Sequence, residues 1–134
     1  MTTKEVFSKL KNNLELDNGF ISNNNYKLVE IGDNYCKLEG LMTQTSLNSY
    51  GIAHGGYIFG LADTAGGMAS MTVGRTSVTL NSHINYFKKA RGSKLVAEAK
   101  CLKQGKTIST YEVFIYDEEN KLIAKSTIDY CYID

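Results

Sequence analysis

Residues 54–71 read HGGYIFGLADTAGGMASM and contain five glycines. Each glycine disfavours a helix interior by about 1 kcal/mol relative to alanine, yet apolar residues continue on nearly every side of the helix that this stretch would form. A helix that is apolar almost all round is a buried one, and its small residues let a sheet approach the backbone closely. We therefore expect a central buried helix over residues 54–73.

Strand-like runs rich in aromatic and aliphatic residues flank this helix. Two precede it and four follow it, at residues 26–31, 35–42, 76–87, 94–103, 107–116 and 122–133. Short turns separate the last three runs, which predicts an antiparallel meander. The expected fold class is α+β, with an antiparallel sheet wrapped around a long central helix.

The chain has 134 residues, the length of a single domain. Apolar residues at helical spacing predict an extra helix within residues 1–19, ahead of a core of residues 20–134; they are Val6, Phe7, Leu10 and Leu14. No apolar run approaches the roughly 18 residues of a membrane-spanning helix, and the N-terminus lacks the apolar core of a secretory signal. Three cysteines without a CxxC pair point to reduced thiols. We therefore expect a cytoplasmic protein with no membrane contact.

Basic residues are concentrated between Tyr86 and Lys106, although the net charge of the whole chain is only +1. This stretch holds seven lysines and arginines against one acid, Glu98. The net charge is too small for nucleic-acid binding through bulk electrostatics, so no nucleic-acid partner is expected. A local basic zone suits a small polyanionic ligand such as a phosphorylated cofactor. Lysines that merely keep an exposed hairpin soluble explain the same pattern.

Asp63 is a charge inside the predicted buried helix. An unpaired carboxylate is costly to bury and needs a partner or a chemical role. His54 precedes two glycines at the helix start, where the first N–H groups lack intrahelical partners and the helix dipole is positive. Because glycine has no Cβ, a ligand oxygen could reach the N–H groups of Gly55 and Gly56 directly. The pattern predicts an oxyanion hole followed by a carboxylate.

One chain cannot supply both groups to the same carbonyl carbon. At 1.5 Å per residue, Asp63 lies about 12 Å along the helix from Gly55. The two groups meet if two chains pack around a two-fold axis and each site takes Gly55 from one chain and Asp63 from the other. We therefore expect a homodimer with shared active sites, and pairing of dimers into a homotetramer.

The motif N-x-x-G-x-x-H-G-G-x(6)-D at residues 48–63 resembles the signature of acyl-CoA thioesterases of the PaaI (phenylacetate-degradation) type, within the 4-hydroxybenzoyl-CoA thioesterase superfamily. SHINYF at 82–87 and KQGKT at 103–107 agree with this, and the likeness covers about residues 20–133. The resemblance implies the hot-dog fold. It also implies hydrolysis of an acyl-CoA thioester to free carboxylic acid and CoA. With CoA as part of the substrate, it implies no cofactor and no metal, and the sequence has no Cys/His metal spacing.

The resemblance implies roles for individual residues. Asp63 would be the nucleophile, or the general base that activates a water, and the Gly55 N–H would polarise the thioester carbonyl. His54 and Asn48 would orient one another and the thioester. Thr79 would hold a water beside Asp63, although Thr76, Ser77 and Asn81 are near enough in sequence to take this place. Substrate and CoA binding would fall to Gly56, Tyr57, Lys88, Lys89, Arg91, Gly105 and Lys106.

Two other functions fit the same fold. A non-hydrolytic hot-dog protein binds acyl-CoA as a sensor or carrier, although such a binder has no need of a carboxylate at the reacting carbon. A hot-dog hydratase acts on an enoyl-CoA and releases no thiol. No GxSxG motif occurs in the sequence, which excludes an α/β-hydrolase as the route to thioester hydrolysis.

Overall fold

A computed structural model describes residues 4–5, 8–9, 12 and 19–134 of the chain. The described residues before Gly19 are helical. The apolar residues on which the N-terminal helix was predicted, Val6, Phe7, Leu10 and Leu14, lie outside the described residues. No described helix has the length and apolar character needed to span a bilayer.

The described part of the chain contains six strands and one long helix. The strands are β1 (Tyr26–Gly32), β2 (Tyr35–Leu41), β3 (Ser77–Tyr86), β4 (Lys94–Lys103), β5 (Ile108–Asp117) and β6 (Leu122–Tyr132). From Phe20 onward the helical elements are α1 (Phe20–Asn23), a 3₁₀ turn (Gln44–Ser46) and the long helix α2 (Gly55–Met71). The predicted central helix and all six predicted strands are confirmed, with ends that differ by no more than two residues.

All six strands form one antiparallel sheet in the order β1-β2-β4-β5-β6-β3. The predicted meander of β4, β5 and β6 is confirmed. β3 pairs with β6 rather than with its successor β4, from Ser77 opposite Tyr132 to Tyr86 opposite Ala124. A bulge interrupts this pairing between Thr79 and Asn81. As a result, β3 is an edge strand of the sheet.

The core lies between α2 and one face of the sheet. α2 contacts every strand, and alternate strand residues face it because successive side chains of a strand point to opposite sides. Leu38, Leu95, Val113 and Ile115 are among those that are fully buried. A sheet packed on a long buried helix is the arrangement expected of a hot-dog fold, and it leaves the start of α2 beside the end of β3.

Candidate active site

The start of α2 presents a backbone donor. The N-cap is His54, whose Nδ1 accepts a hydrogen bond from the Gly56 N–H at 2.8 Å. Gly56 was predicted to bind substrate, but its N–H is already taken by this cap. The Gly55 N–H, in contrast, has no acceptor among the described residues. The positive end of the helix dipole makes it a favourable partner for an oxygen that develops negative charge.

Asn48 holds the loop that leads into the helix. Its Oδ1 accepts hydrogen bonds from the backbone N–H groups of Tyr50 at 2.9 Å and Ile52 at 3.4 Å. Gly51 completes the turn with a φ of 75°, which favours glycine. The prediction that Asn48 and His54 orient one another is not met within this chain, because each side chain bonds to a backbone N–H of its own segment.

Asp63 lies about two turns further along α2 and is half-buried. Its Oδ1 accepts a hydrogen bond from the Thr79 hydroxyl at 2.7 Å and lies 3.2 Å from the Tyr130 hydroxyl. The Tyr130 hydroxyl also donates to the Asp63 backbone carbonyl at 2.8 Å. No partner for Oδ2 is found in the described part of the chain. One carboxylate oxygen is therefore anchored and the other is available for a ligand.

Thr79 is the residue of β3 that reaches Asp63. The other nearby candidates are engaged elsewhere or make no such contact: the Ser77 hydroxyl lies 2.6 Å from that of Ser70, and the Thr76 N–H donates to Asp134. The bulge that follows Thr79 interrupts the regular pairing at this point, and such bulges re-aim side chains. The structure thus brings together the two residues that the sequence analysis placed side by side.

Tyr130 is a residue of this site that the sequence analysis missed. Its ring is buried. Burial is the main cause that raises the pKa of its phenol and the Asp63 carboxylate is the second, so the phenol remains a hydrogen-bond donor. Gly66, nearly one turn after Asp63, makes room for it, because a Cβ at this position would overlap the phenol oxygen. A glycine inside a helix signals such a close approach, but the sequence does not reveal which side chain fills the space.

A cleft of about 320 Å³ lies beside the helix start. It is lined by Gly55, Ile58, residues 52–53 and residues 86–90. Tyr86 forms one side, and its hydroxyl donates to the Gly55 carbonyl at 2.8 Å. Because residues 86–90 include the first two lysines of the basic stretch, these lysines share a cleft with the free N–H of Gly55.

Lys88 and Arg91 also face an acidic turn. They line a neighbouring groove that includes residues 117–119, and the Lys88 ammonium lies 3.8 Å from the Asp117 carboxylate. Glu118 Oε1 accepts hydrogen bonds from the Ser93 N–H at 2.5 Å, the Ser93 hydroxyl at 2.8 Å and the Lys94 N–H at 2.9 Å. These acids hold the basic loop in place and neutralise part of its charge.

Gly105 and Lys106 lie near the beginning of β3, at the end opposite to the cleft. Arg75, which follows α2, donates to the Lys106 carbonyl at 2.7 Å and stacks 3.9 Å over the Tyr132 ring, next to Ser77. The other predicted CoA-binding lysines follow the far end of β3. That end is about 30 Å away, because the strand rises about 3.3 Å per residue. The predicted single group of phosphate-binding residues is therefore divided in two within one chain.

Tyr57 lies in the core rather than in the cleft. Its side chain is buried and its ring packs 5.1 Å from that of Tyr26, next to Gly40 of β2. In a single chain it contacts the sheet and not a ligand cleft. Across the described ranges, no group of three or more His, Cys, Asp or Glu side chains is arranged to hold a metal ion.

Comparison with known proteins identifies the family. A family model described as the thioesterase superfamily matches residues 50–124, which include the helix start, Asp63 and Thr79. The chain belongs to the thioesterase superfamily. The PaaI-type resemblance is confirmed as well: the acyl-coenzyme A thioesterase PaaI of Escherichia coli is 28% identical over 98 residues, which cover 72% of this chain and 70% of that relative.

A second relative of this thioesterase-superfamily chain comes from Archaeoglobus fulgidus and is named as a candidate esterase. It is 38% identical over 99 residues, which cover 73% of this chain. The matched part spans 64% of that protein, just under two thirds of its length.

Two solved structures share the thioesterase fold of this chain. The E. coli PaaI protein matches with a TM-score of 0.92 over 100% of this chain and 97% of its own, at 21% identity. A protein of Streptococcus pneumoniae, described as a hypothetical thioesterase and solved with coenzyme A, matches with a TM-score of 0.78 at 33% identity, over 81% of this chain and 86% of its own. The predicted hot-dog fold and the predicted thioesterase-family enzyme are confirmed. The roles of individual residues stay predictions.

Proposed function

We propose that this chain hydrolyses an acyl-CoA thioester to the free carboxylic acid and CoA. The observation that carries the proposal is the Asp63 carboxylate, with Oδ1 anchored by Thr79 and Oδ2 left without a partner in the described chain. One relative is named an acyl-coenzyme A thioesterase, and two similar streptococcal structures hold coenzyme A or acetyl-CoA. CoA belongs to the substrate in this proposal, and no other cofactor takes part.

A further observation supports Asp63 and Thr79 as a functional pair. Two structures of the S. pneumoniae protein, each 32% identical to this chain, carry alanine in place of an aspartate and of a threonine. The two replaced residues are 16 positions apart, as are Asp63 and Thr79. The same residue types at the same spacing were therefore chosen for substitution in a similar thioesterase-like protein.

The reaction needs one basic or nucleophilic oxygen and one donor to the carbonyl oxygen. In one route, Asp63 takes a proton from a water whose oxygen bonds to the thioester carbon. The carbon–sulfur bond then breaks, and CoA leaves as a thiolate that is protonated to the thiol. In the other route, a carboxylate oxygen of Asp63 bonds to that carbon, the thiolate leaves, and water hydrolyses the resulting anhydride. Both routes place negative charge on the thioester oxygen, to which the Gly55 N–H would donate.

We further propose that a second copy of the chain completes the site. β3 is a ten-residue edge strand, and its side chains Val78 and Leu80 are 48% and 53% exposed. A long edge strand with apolar side chains is a template for pairing with another chain. We expect β3 to pair antiparallel with β3 of the second copy, and the dimers to associate into a tetramer.

Such pairing solves the distance problem along the helix. Thr79, bonded to Asp63, lies near the beginning of β3, whereas Tyr86, bonded to Gly55, lies at its end. Two β3 strands related by a two-fold axis run antiparallel, so the beginning of one lies beside the end of the other. Asp63 of one chain then comes close to Gly55 of the other. The two separated groups of basic residues come together in the same way.

Release of free thiol from a panel of aliphatic and aryl acyl-CoAs tests the proposed activity. Asp63→Ala should lower kcat by a factor on the order of 10²–10⁴. Asp129→Ala is a matched control, because this half-buried aspartate accepts a hydrogen bond from Thr110 at 2.6 Å away from the site, and it should leave turnover unchanged. Near-normal turnover by Asp63→Ala would contradict the proposal. Loss of enoyl-CoA absorbance without thiol release would indicate a hydratase, and binding without turnover a carrier.

Complementation tests the shared site. Chains carrying Asp63→Ala and chains carrying Gly55→Pro, which lacks the N–H at that position, should each be inactive when expressed alone. Random co-assembly of equal amounts gives half mixed dimers, each with one intact site of two, so about a quarter of the wild-type activity should return. No recovery in dimers shown to be mixed would refute sites built from two chains.

A further inference from the structure

We propose that Tyr130 is a positioning residue for the hydrolysis: its phenol helps to fix the plane of the Asp63 carboxylate, so that the oxygen not bound to Thr79 faces the thioester. This inference rests on the proposed function of Asp63 and adds how that side chain is presented. It assigns a role to a residue outside the N-x-x-G-x-x-H-G-G-x(6)-D motif.

The geometry is that of a clamp on one oxygen. Thr79 and Tyr130 lie directly opposite one another on β3 and β6, and both hydroxyls reach Oδ1 of Asp63, at 2.7 Å and 3.2 Å. The same phenol donates to the backbone carbonyl of Asp63 at 2.8 Å. Because the phenol has a single proton, this hydrogen bond is shared between the main-chain carbonyl and the side-chain oxygen of Asp63. It couples the carboxylate to the backbone of α2.

A clamp matters because the terminal torsion of an aspartate is soft. Rotation about this torsion is broad and roughly two-fold. A half turn merely exchanges two equivalent oxygens, but intermediate angles turn the free oxygen away from the thioester. The Thr79 hydroxyl and the shared proton of Tyr130 oppose these intermediate angles. Because the Tyr130 proton is shared with the carbonyl, its bond to Oδ1 counts as an ordinary hydrogen bond, which corresponds to a factor of about threefold to tenfold in an equilibrium. Its loss should lower the population of the productive orientation by about that factor.

The surroundings of Tyr130 are fitted to this contact. The ring is 1% exposed and packs edge-on against Tyr111, with 5.8 Å between ring centroids and 73° between ring planes. Gly66 leaves the space that the phenol oxygen occupies beside the helix. Burial, and after it the nearby Asp63 carboxylate, raises the pKa of the phenol. Tyr130 therefore stays protonated, donates a hydrogen bond and does not itself act as the base.

Removal of the phenol oxygen tests the inference. Tyr130→Phe keeps the ring and its packing on Tyr111, and we expect kcat for acyl-CoA hydrolysis to fall by about threefold to tenfold with KM changed by less than about twofold. Tyr111→Phe is the matched control, because this equally buried phenol donates to Asn34 and not to Asp63. It should leave kcat unchanged. Equal losses in the two variants would overturn the proposal, since they would report packing alone.

The failure of this inference differs from the failure of the proposed function. If Asp63→Ala is inactive while Tyr130→Phe keeps more than half of kcat, the positioning role is refuted and the hydrolysis stands. If Asp63→Ala keeps near-normal turnover, the proposed function itself is wrong. Should Tyr130→Phe not fold in a thermal unfolding measurement, Gly66→Ala provides a second variant that displaces the phenol without removing it. A selective fall in kcat in that variant supports the role, and an unchanged kcat refutes it.

Discussion

Gly55→Pro isolates the backbone donor of the proposed oxyanion hole. Gly55 is the first residue of α2, the helical position at which proline is best tolerated because its fixed φ suits the helix and its missing N–H has no partner there. His54, which precedes it, has φ −63° and ψ 138°, the extended conformation that a residue before proline adopts. The substitution therefore deletes one N–H and loses no hydrogen bond within the described chain.

Opposite effects on turnover and on stability are expected for this change. Loss of one oxyanion donor lowers kcat by about 10²–10³. Replacing glycine by a compatible proline raises the free energy of unfolding by about 0.4–1 kcal/mol through the unfolded state, so the melting temperature should not fall. Gly55→Ala is the control that keeps the N–H. Its Cβ would meet the Tyr86 hydroxyl at 3.4 Å inside the same cleft, so added bulk alone lowers turnover. The loss should nevertheless be at least about tenfold smaller than in Gly55→Pro.

The assay combines thiol release from acyl-CoA with thermal unfolding of the same preparations. A folded Gly55→Pro protein that turns over as fast as Gly55→Ala would refute the oxyanion role of this N–H. Equal large losses in both variants would show that bulk beside Tyr86, and not the donor, limits the reaction.

Three further predictions test the basic loop, the sheet edge and the helix packing. Changing Lys88 and Lys89 together to Glu should raise KM for acyl-CoA several-fold at low salt. It should leave kcat, and the turnover of an acyl-N-acetylcysteamine that lacks the nucleotide, unchanged; equal effects on both substrates would return these lysines to a solubility role. Leu80→Glu, on the exposed edge of β3, should yield a folded, inactive monomer in sedimentation experiments, whereas a stable active dimer would place the interface elsewhere. Gly66→Ala should lower the free energy of unfolding by about 1–3 kcal/mol through overpacking. Gly67→Ala, whose Cβ would lie 3.7 Å from the Tyr130 ring, should raise the free energy of unfolding by about 0.5–1 kcal/mol in urea unfolding. The reverse order of the two variants would contradict this packing.

The sequence predicts the elements well because periodicity and turn residues are local. The boundaries of α2 follow from His54 and its glycines, and the strands follow from alternation between turns. The order of the strands depends on which surfaces fit together, so the pairing of β3 with β6 is not visible in the sequence. The contact between Tyr130 and Asp63 depends on that pairing and was missed for the same reason.

Proximity in sequence also misled the prediction of the ligand-binding surface. Lys88 and Lys106 belong to one basic stretch, but β4 carries the chain along the length of the sheet between them. They therefore lie near opposite ends of β3. Asp63 and Thr79 were placed together through the resemblance to a known motif. Periodicity alone does not bring a helix residue next to a particular strand residue.

The pairing of β3 with β6, and not with β4, has a consequence for how the protein is made. During synthesis, β3 emerges from the ribosome before β4, β5 and β6, yet its partner within the chain is β6. Pairings between strands distant in sequence form slowly, so β3 spends this interval with both of its edges open. Exposed strand edges in incomplete chains promote aggregation. The strand that carries Thr79 is thus the segment most exposed to misassociation in the nascent chain, and chaperone capture of stalled chains should be strongest for those that end before β6.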